Sequence, residues 1–204
     1  MDFNQKAKTW DTVERINRSR ILAEEIIKTI PIQKHFHALE FGCGTGLISF
    51  QLMNQLEHIT LTDTSEGMIT ILMQKIDANQ ITNMSTILGD INEHPELLPK
   101  KYDLIYTSMV LHHILDVDST LQNLYNQLNE NGYLCIIDLV EEDGSFHKSD
   151  IDFQGHNGFN QDNLSQLLTN TGFHNVNSHV FYHDVKSVAD MKINYSLFIM
   201  TGKK

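Results

Sequence analysis

The sequence predicts an α/β fold, a doubly wound and mostly parallel seven-stranded sheet that ends in an antiparallel hairpin. Three observations lead there. Short apolar runs alternate with helix-length amphipathic segments from residue 37 to residue 172, the rhythm of a parallel sheet with crossover helices. The run over 133–140, "YLCIIDLV", is almost continuously apolar, as befits a strand buried on both faces. Two late runs, over 174–184 and 194–203, follow one another without a helix and suit an antiparallel pair.

The elements follow in order. Residues 10–30 carry Val13, Ile16, Ile21, Leu22, Ile26 and Ile27 at helical spacing, and Pro31 closes one or two helices there. "HALEF" (37–41) is a strand, and a helix over 47–56 starts directly after three glycines. "HITLTD" (58–63) is a second strand, rich in β-branched residues. A helix over 65–80 has Ser65 as its N-cap and an apolar stripe of Met68, Ile69, Leu72 and Ile76. Strands over 84–90 and 102–109 come next, then a helix at about 116–130 with Gly132 as its stop. After the strand at 133–140, a capped helix spans 160–172. The stretch over 140–159 is irregular and rich in Asp, Gly and His. A long loop inside a compact domain is usually functional or disordered.

Composition narrows the function. A chain of 204 residues with 41% hydrophobic residues supports one full-sized core and is short for two. The formal net charge of −11 argues against nucleic acid, which needs a basic surface. Cys43 and Cys135 lie far apart without a CxxC pairing, so a disulfide framework is not expected and a cytoplasmic location is. The polar N-terminal stretch lacks the apolar core of a signal peptide, and no apolar run approaches the roughly 20 residues that span a bilayer.

The chemistry concentrates in "LEFGCGTG" (39–46), where an apolar run ends in a carboxylate, Glu40, and passes into Gly42, Gly44 and Gly46. In open α/β sheets, ligands bind beyond the carboxyl ends of the strands. Glycine there lets backbone N–H groups approach a ligand that a Cβ would hold off. The start of the next helix favours negative charge. A dinucleotide site wants a third glycine three places after the second, but Leu47 stands there. An NAD(P)-dependent oxidoreductase is therefore the disfavoured alternative.

Residues 40–46 resemble the first motif, (D/E)-x-G-x-G-x-G, of class I S-adenosylmethionine-dependent methyltransferases. The resemblance implies a Rossmann-like methyltransferase fold with S-adenosylmethionine as cofactor and S-adenosylhomocysteine as product. It implies that Gly42, Cys43, Gly44 and Gly46 curve around the methionine half of the cofactor. Glu40 would face the cofactor's amino group, a cation that lessens the cost of burying a carboxylate. Three further matches lie in order. Asp63 ends the second strand, where the family has an acid for the two ribose hydroxyls, with Thr64 beside it. Asp90, in "GDI", resembles the residue that accepts from the adenine amino group, with Ile91 adjacent. "YDLIYTSMVLHHI" (102–114) looks like the fourth-strand motif and places Ser108 at the site. Met68 matches a position that packs against adenine. Small members also have an N-terminal cap, in which Trp10 would cover the cofactor and Arg15 or Arg18 would meet its carboxylate. The chain then reads as a single domain over 1–204. Cap helices occupy 1–31, a cofactor-binding core 37–140, and an acceptor-side loop with the C-terminal hairpin 141–204.

Methyl transfer from a sulfonium is an in-line displacement, so the protein chiefly supplies alignment. A base is required only for an acceptor that arrives protonated. His113 and His112 follow the fourth strand and are the catalytic candidates. Side chains of adjacent residues diverge, so at most one of the pair is expected to face the site. His147 and His156, with Glu141, Glu142, Asp143, Asp150 and Asp152, match no ligand spacing, and no metal is expected. Their loop is expected to line the acceptor pocket, and Cys43 to fill space. Where methyltransferases of adenine or glutamine carry Asn/Asp-Pro-Pro-aromatic, this chain has "TSMVLHH". The expected acceptor is a small molecule, with no nucleic-acid or membrane partner, for a monomer or homodimer. A non-catalytic S-adenosylmethionine-binding protein is the other alternative, because Glu40, Asp63 and Asp90 bind and do no chemistry.

Overall fold

A computed structural model describes residues 3–98, 101–150, 152–188 and 191–204. Its strands are β1 (His37–Phe41), β2 (His58–Asp63), β3 (Met84–Leu88), β4 (Tyr102–Ser108), β5 (Leu128–Leu139), β6 (His174–Val188) and β7 (Met191–Lys203). Its helices are α1 (Phe3–Lys6), α2 (Val13–Thr29), α3 (Ser49–Leu52), α4 (Glu66–Ala78), α5 (Val117–Gln127) and α6 (Gln161–Thr171). The sheet order is β3-β2-β1-β4-β5-β7-β6. The first five strands in that order are parallel, and β7 and β6 are antiparallel, as the sequence predicts.

Period-two alternation gives the sheet two buried faces. On one, Ala38, Leu61, Leu104 and Tyr106 pack beneath α2, α3 and α4. On the other, Leu39, Phe41, Ile105 and Ile136 pack beneath α5 and α6. Strand order reverses at β1, which has β2 on one side and β4 on the other. The crevice beyond the carboxyl ends of β1 and β4 is therefore where a ligand belongs.

Several elements differ from the sequence expectation. The helix expected over 47–56 is a single α turn, α3, followed by a 3₁₀ turn over Met53–Gln55. Side-chain donors take the carbonyls that a longer helix would use: Asn83 Nδ2 reaches Met53 O at 2.9 Å, and Lys34 Nζ reaches Asn54 O at 3.0 Å. Gly132 does not stop α5, which ends at Gln127; Leu128 already pairs with Tyr102. Gly132 instead lies within β5 beside a register shift, where a Cβ would sit 3.1 Å from Tyr102 O. β3 stops before Gly89, whose N–H turns to Asp63 O. In α2 the buried face is Ser19, Leu22, Ala23 and Ile26, and the expected stripe residues Val13, Ile16, Ile21 and Ile27 are exposed. Trp10 precedes that helix, which Thr12 caps by accepting from Arg15 N at 3.3 Å. The cap's first two residues lie outside the described set.

The hairpin is longer than expected. Residues 191–196 of β7 pair with β6 but not β5, so this end of the hairpin overhangs the sheet. Cys43 and Cys135 are buried free thiols. Among the described residues, no helix is long and apolar enough to cross a membrane.

Leu104 lies in the central strand and is fully buried. Leu104→Ala is expected to lower unfolding free energy by about 2–5 kcal/mol. Urea denaturation checks this, and an unchanged midpoint would contradict its place in the core.

Candidate functional site

The glycine turn opens directly from β1. Gly42, Gly44 and Gly46 all have positive φ, at 71°, 53° and 77°. At Gly42 a Cβ would strike Val110, whose Cγ2 lies 2.4 Å away. At Gly44 a Cβ would point into open space, with only Trp10 Nε1 nearby at 3.7 Å. The turn thus presents bare backbone to a cavity.

Acids hold the turn. Asp63 Oδ2 accepts from Gly44 N at 2.7 Å and Oδ1 from Ser65 N at 2.8 Å. Each oxygen keeps a further lone pair for a ligand hydroxyl. Burial raises the Asp63 pKa against the pull of these N–H donors. Glu40 is 3% exposed, accepts from Ser49 Oγ, and connects through it to Tyr106 OH, 2.6 Å from Ser49 Oγ. Burial drives its pKa up to about 8. A cation placed beside it would favour the ionised form.

A strap from the N-terminus closes over the turn. Lys75 Nζ donates to Asp11 Oδ2 and to Thr45 O, each at 2.7 Å, and Thr45 Oγ1 also bonds Asp11. Asn4 Oδ1 accepts from Ser65 Oγ at 2.8 Å and Gly67 N at 2.9 Å. The Arg15 guanidinium lies 4.0 Å from the Trp10 ring centre and donates to Trp10 O.

Three cavities adjoin. The first, about 90 Å³, is walled by Trp10, Arg15, Glu40, Cys43, Gly44 and Ser108. The second, about 180 Å³, is walled by Asp63, Thr64, Met68, Asp90, Ser108 and His113. The third, about 420 Å³, is walled by Arg15, Arg18, His112, His113, His147 and Lys186. Gly42, Gly44 and Ser108 are common to the first two, and His113 and Phe3 to the last two. Met109 borders all three from a left-handed backbone with φ 58°. Such a φ is uncommon for a non-glycine residue.

Most of the expected site residues therefore come together. Two stand behind the cavity walls: Gly46 packs against Leu72, and Ile91 is a core residue at 2% exposure. Burial holds the Cys43 thiol well above its ordinary pKa, consistent with space filling.

His112 and His113 do not diverge as expected. The 3₁₀ turn Leu111–His113 leaves their rings 4.2 Å apart, and both border the third cavity. Asp138 fixes the first of them, with Oδ1 2.5 Å from His112 Nδ1 and Oδ2 accepting from His112 N. Burial, then neighbouring His112, lowers the His113 pKa to about 4. The same causes lower His147 to about 3. The irregular loop is stitched down: His156 N donates to His112 O at 2.7 Å, and Glu141 N to Phe159 O at 3.1 Å.

Sequence reasoning missed Ser49, Lys75, Tyr106, Met109 and Asp138. Asp138 alone carried a signal, an acid inside the apolar run "YLCIIDLV".

Residues 32–193 match the family described as "Methyltransferase domain". The malonyl-[acyl-carrier protein] O-methyltransferase of Priestia megaterium is 31% identical over 137 residues, which are 65% of this chain and 47% of that protein. The chain spans about half the length of the curated relatives it matches. A SAM-dependent methyltransferase from Aquifex aeolicus superposes with TM-score 0.68 at 17% identity, covering 98% of this chain and 97% of that one. Haemonchus contortus phosphoethanolamine N-methyltransferase 2, in complex with S-adenosyl-L-methionine, gives TM-score 0.72 at 12% identity, over 90% of this chain and 52% of that one. At these identities the structural likeness is one of fold.

Glu40 makes stability depend on pH. Its folded pKa of about 8 lies above the ordinary 4.5, so the folded state holds the proton more tightly. The associated stability is present below about pH 4.5 and is lost as pH rises through about 8. Thermal unfolding of the ligand-free protein between about pH 5 and 8 should show wild type losing stability relative to Glu40→Gln; parallel curves would contradict it.

Gly67 is fitted to the strap, since a Cβ there would lie 2.8 Å from Asn4 O. Gly67→Ala is expected to loosen α1 and speed proteolysis near residues 3–10; unchanged cleavage rates would contradict the contact.

Proposed function

The chain belongs to the class I S-adenosylmethionine-dependent methyltransferases, and from that premise we propose that it methylates a small molecule bearing an anionic oxygen. The observation that carries this reading is the run of joined cavities beyond the strand ends, with Glu40 and Arg15 in the first, Asp63 and Asp90 in the second, and Lys186 added to Arg15 and Arg18 in the third.

The first two cavities fit S-adenosylmethionine. Glu40, which the fold buries, would take the cofactor's ammonium in the first, and Arg15 its carboxylate. The Gly42–Gly46 turn leaves the room that a Cβ would fill. Asp63 would accept from the ribose hydroxyls while holding Gly44, and Asp90 with Met68 would meet adenine. The cofactor supplies a sulfonium methyl group already activated for displacement. This chain's residues supply alignment, which in favourable cases is worth ~7–11 kcal/mol.

The third cavity would hold the acceptor. Arg18 and Lys186 border it together with Glu14 and Asp184, and Arg15 stands between it and the first cavity. Lys186 Nζ is held by Phe146 O at 2.7 Å, over the Phe146 ring. An oxygen anion suits these surroundings, and it arrives without a proton to remove. His113 stands where the second and third cavities join, and burial keeps its ring uncharged, so it would help to orient the acceptor there. The Priestia megaterium relative is named for O-methyl transfer to malonyl-[acyl-carrier protein], so acyl groups tethered to a carrier belong in the acceptor panel.

Calorimetry with S-adenosylmethionine, S-adenosylhomocysteine and NADH should show binding of the first two only. S-adenosylhomocysteine formation should then rise with carboxylates or phenolates above neutral amines; an amine-only response would overturn the acceptor class. Asp63→Ala is expected to weaken cofactor binding by more than about tenfold, because it removes both a charged acceptor and the anchor of the turn. An unchanged dissociation constant would remove Asp63 from the site.

A further inference from the structure

We infer that His112, His113 and His147 bind one divalent first-row transition ion of the zinc type, with one coordination position open toward the third cavity. One ring nitrogen from each histidine lies within 4.8 Å of the others. The set comes from two places in the chain, the turn after β4 and the loop after β5, which is why spacing in the sequence gives no ligand signature.

Two features make this more than a packing of rings. The first is His147. It is 6% exposed and stacks flat on Phe153, with centres 3.7 Å apart and planes 6° apart. Its Nδ1 is sealed from solvent and has no hydrogen-bond partner. A buried polar atom left unpaired costs free energy, and a metal ion would pair it. The second is Asp138. Its Oδ1 lies 2.5 Å from His112 Nδ1, and both residues are 1% exposed. That leaves Nε2 as the nitrogen His112 has to give. A carboxylate behind a ligating imidazole is the usual outer support of a metal-bound histidine.

The donor set selects the ion. Three imidazoles suit zinc and its neighbours rather than magnesium or calcium, which prefer oxygen. Three protein ligands with a vacant fourth place match metal sites that engage a substrate. At zinc–nitrogen bonds of 2.0–2.1 Å, tetrahedral nitrogens sit about 3.3 Å apart, so the rings would draw together slightly on binding. The loop that carries His147 is already held close. Gly155 packs so tightly on the His112 carbonyl that a Cβ there would lie 2.1 Å from it. The open position would face the cavity bordered by Arg15, Arg18 and Lys186, where an anionic oxygen of the acceptor could complete the coordination. That use of the ion rests on the function proposed above; the site itself does not.

The full chain, stripped with a chelator and dialysed, would be titrated with Zn²⁺ in competition with a chromophoric chelator. Co²⁺ would follow, read by its visible d–d absorption. One ion per chain is expected, with intense tetrahedral cobalt bands. His147→Phe keeps the stack on Phe153 and should lower affinity at least about tenfold, and Asp138→Asn about 10–100-fold. His94→Ala, at an exposed histidine, should change nothing. The site is overturned if wild type binds no more tightly than His147→Phe. S-adenosylmethionine calorimetry on the same samples separates the two readings. Cofactor binding without zinc binding removes the metal site alone, and zinc binding without cofactor binding removes the methyltransferase reading alone.

Discussion

One carboxylate at the end of β2 governs the turn at the end of β1. Asp63 fastens the Gly44 N–H, and with it a segment whose three glycines all have positive φ. Such a turn has many conformations open to it in isolation. The anchor selects one, in which backbone faces the cavity instead of side chain. The neighbouring contacts build outward from that choice. Thr45, held in the turn, meets Asp11, and Lys75 ties both to α4. The strap then carries Trp10 and Arg15 to the rim of the first cavity. A short chain of polar contacts thus turns an ordinary sheet edge into a cleft with a roof.

The same region concentrates acids where burial opposes their charge. Glu40 and Asp63 both have raised pKa values because the fold desolvates them. Neutral residues of similar shape would pack there at lower cost. The acids make sense if the energy withheld from the ligand-free fold is returned when a cationic ligand arrives.

Much of this was legible in the sequence. Alternating apolar runs gave the order of elements, and "LEFGCGTG" with Asp63 and Asp90 marked the crevice, because local spacing determines which residues follow each strand. What escaped was set by contacts distant in sequence. Lys34 and Asn83 shorten the helix after the glycines, and pairing with Tyr102 draws Leu128 out of α5. Met109 has no sequence signal for its left-handed backbone. His147 meets His112 only because the intervening loop folds back on the turn, and no periodicity reports such a return.

The overhang of β6 and β7 has a consequence beyond stability. Asp184, Lys186 and Tyr195 reach the third cavity from it, whereas the first two cavities are framed by segments well before it in the chain. The third cavity thus has one wall of its own, while Trp10, Arg15, Met109 and His113 are shared with its neighbours. On the function proposed above, substitutions confined to that arm would reshape the acceptor side and leave the residues that frame the other two cavities in place.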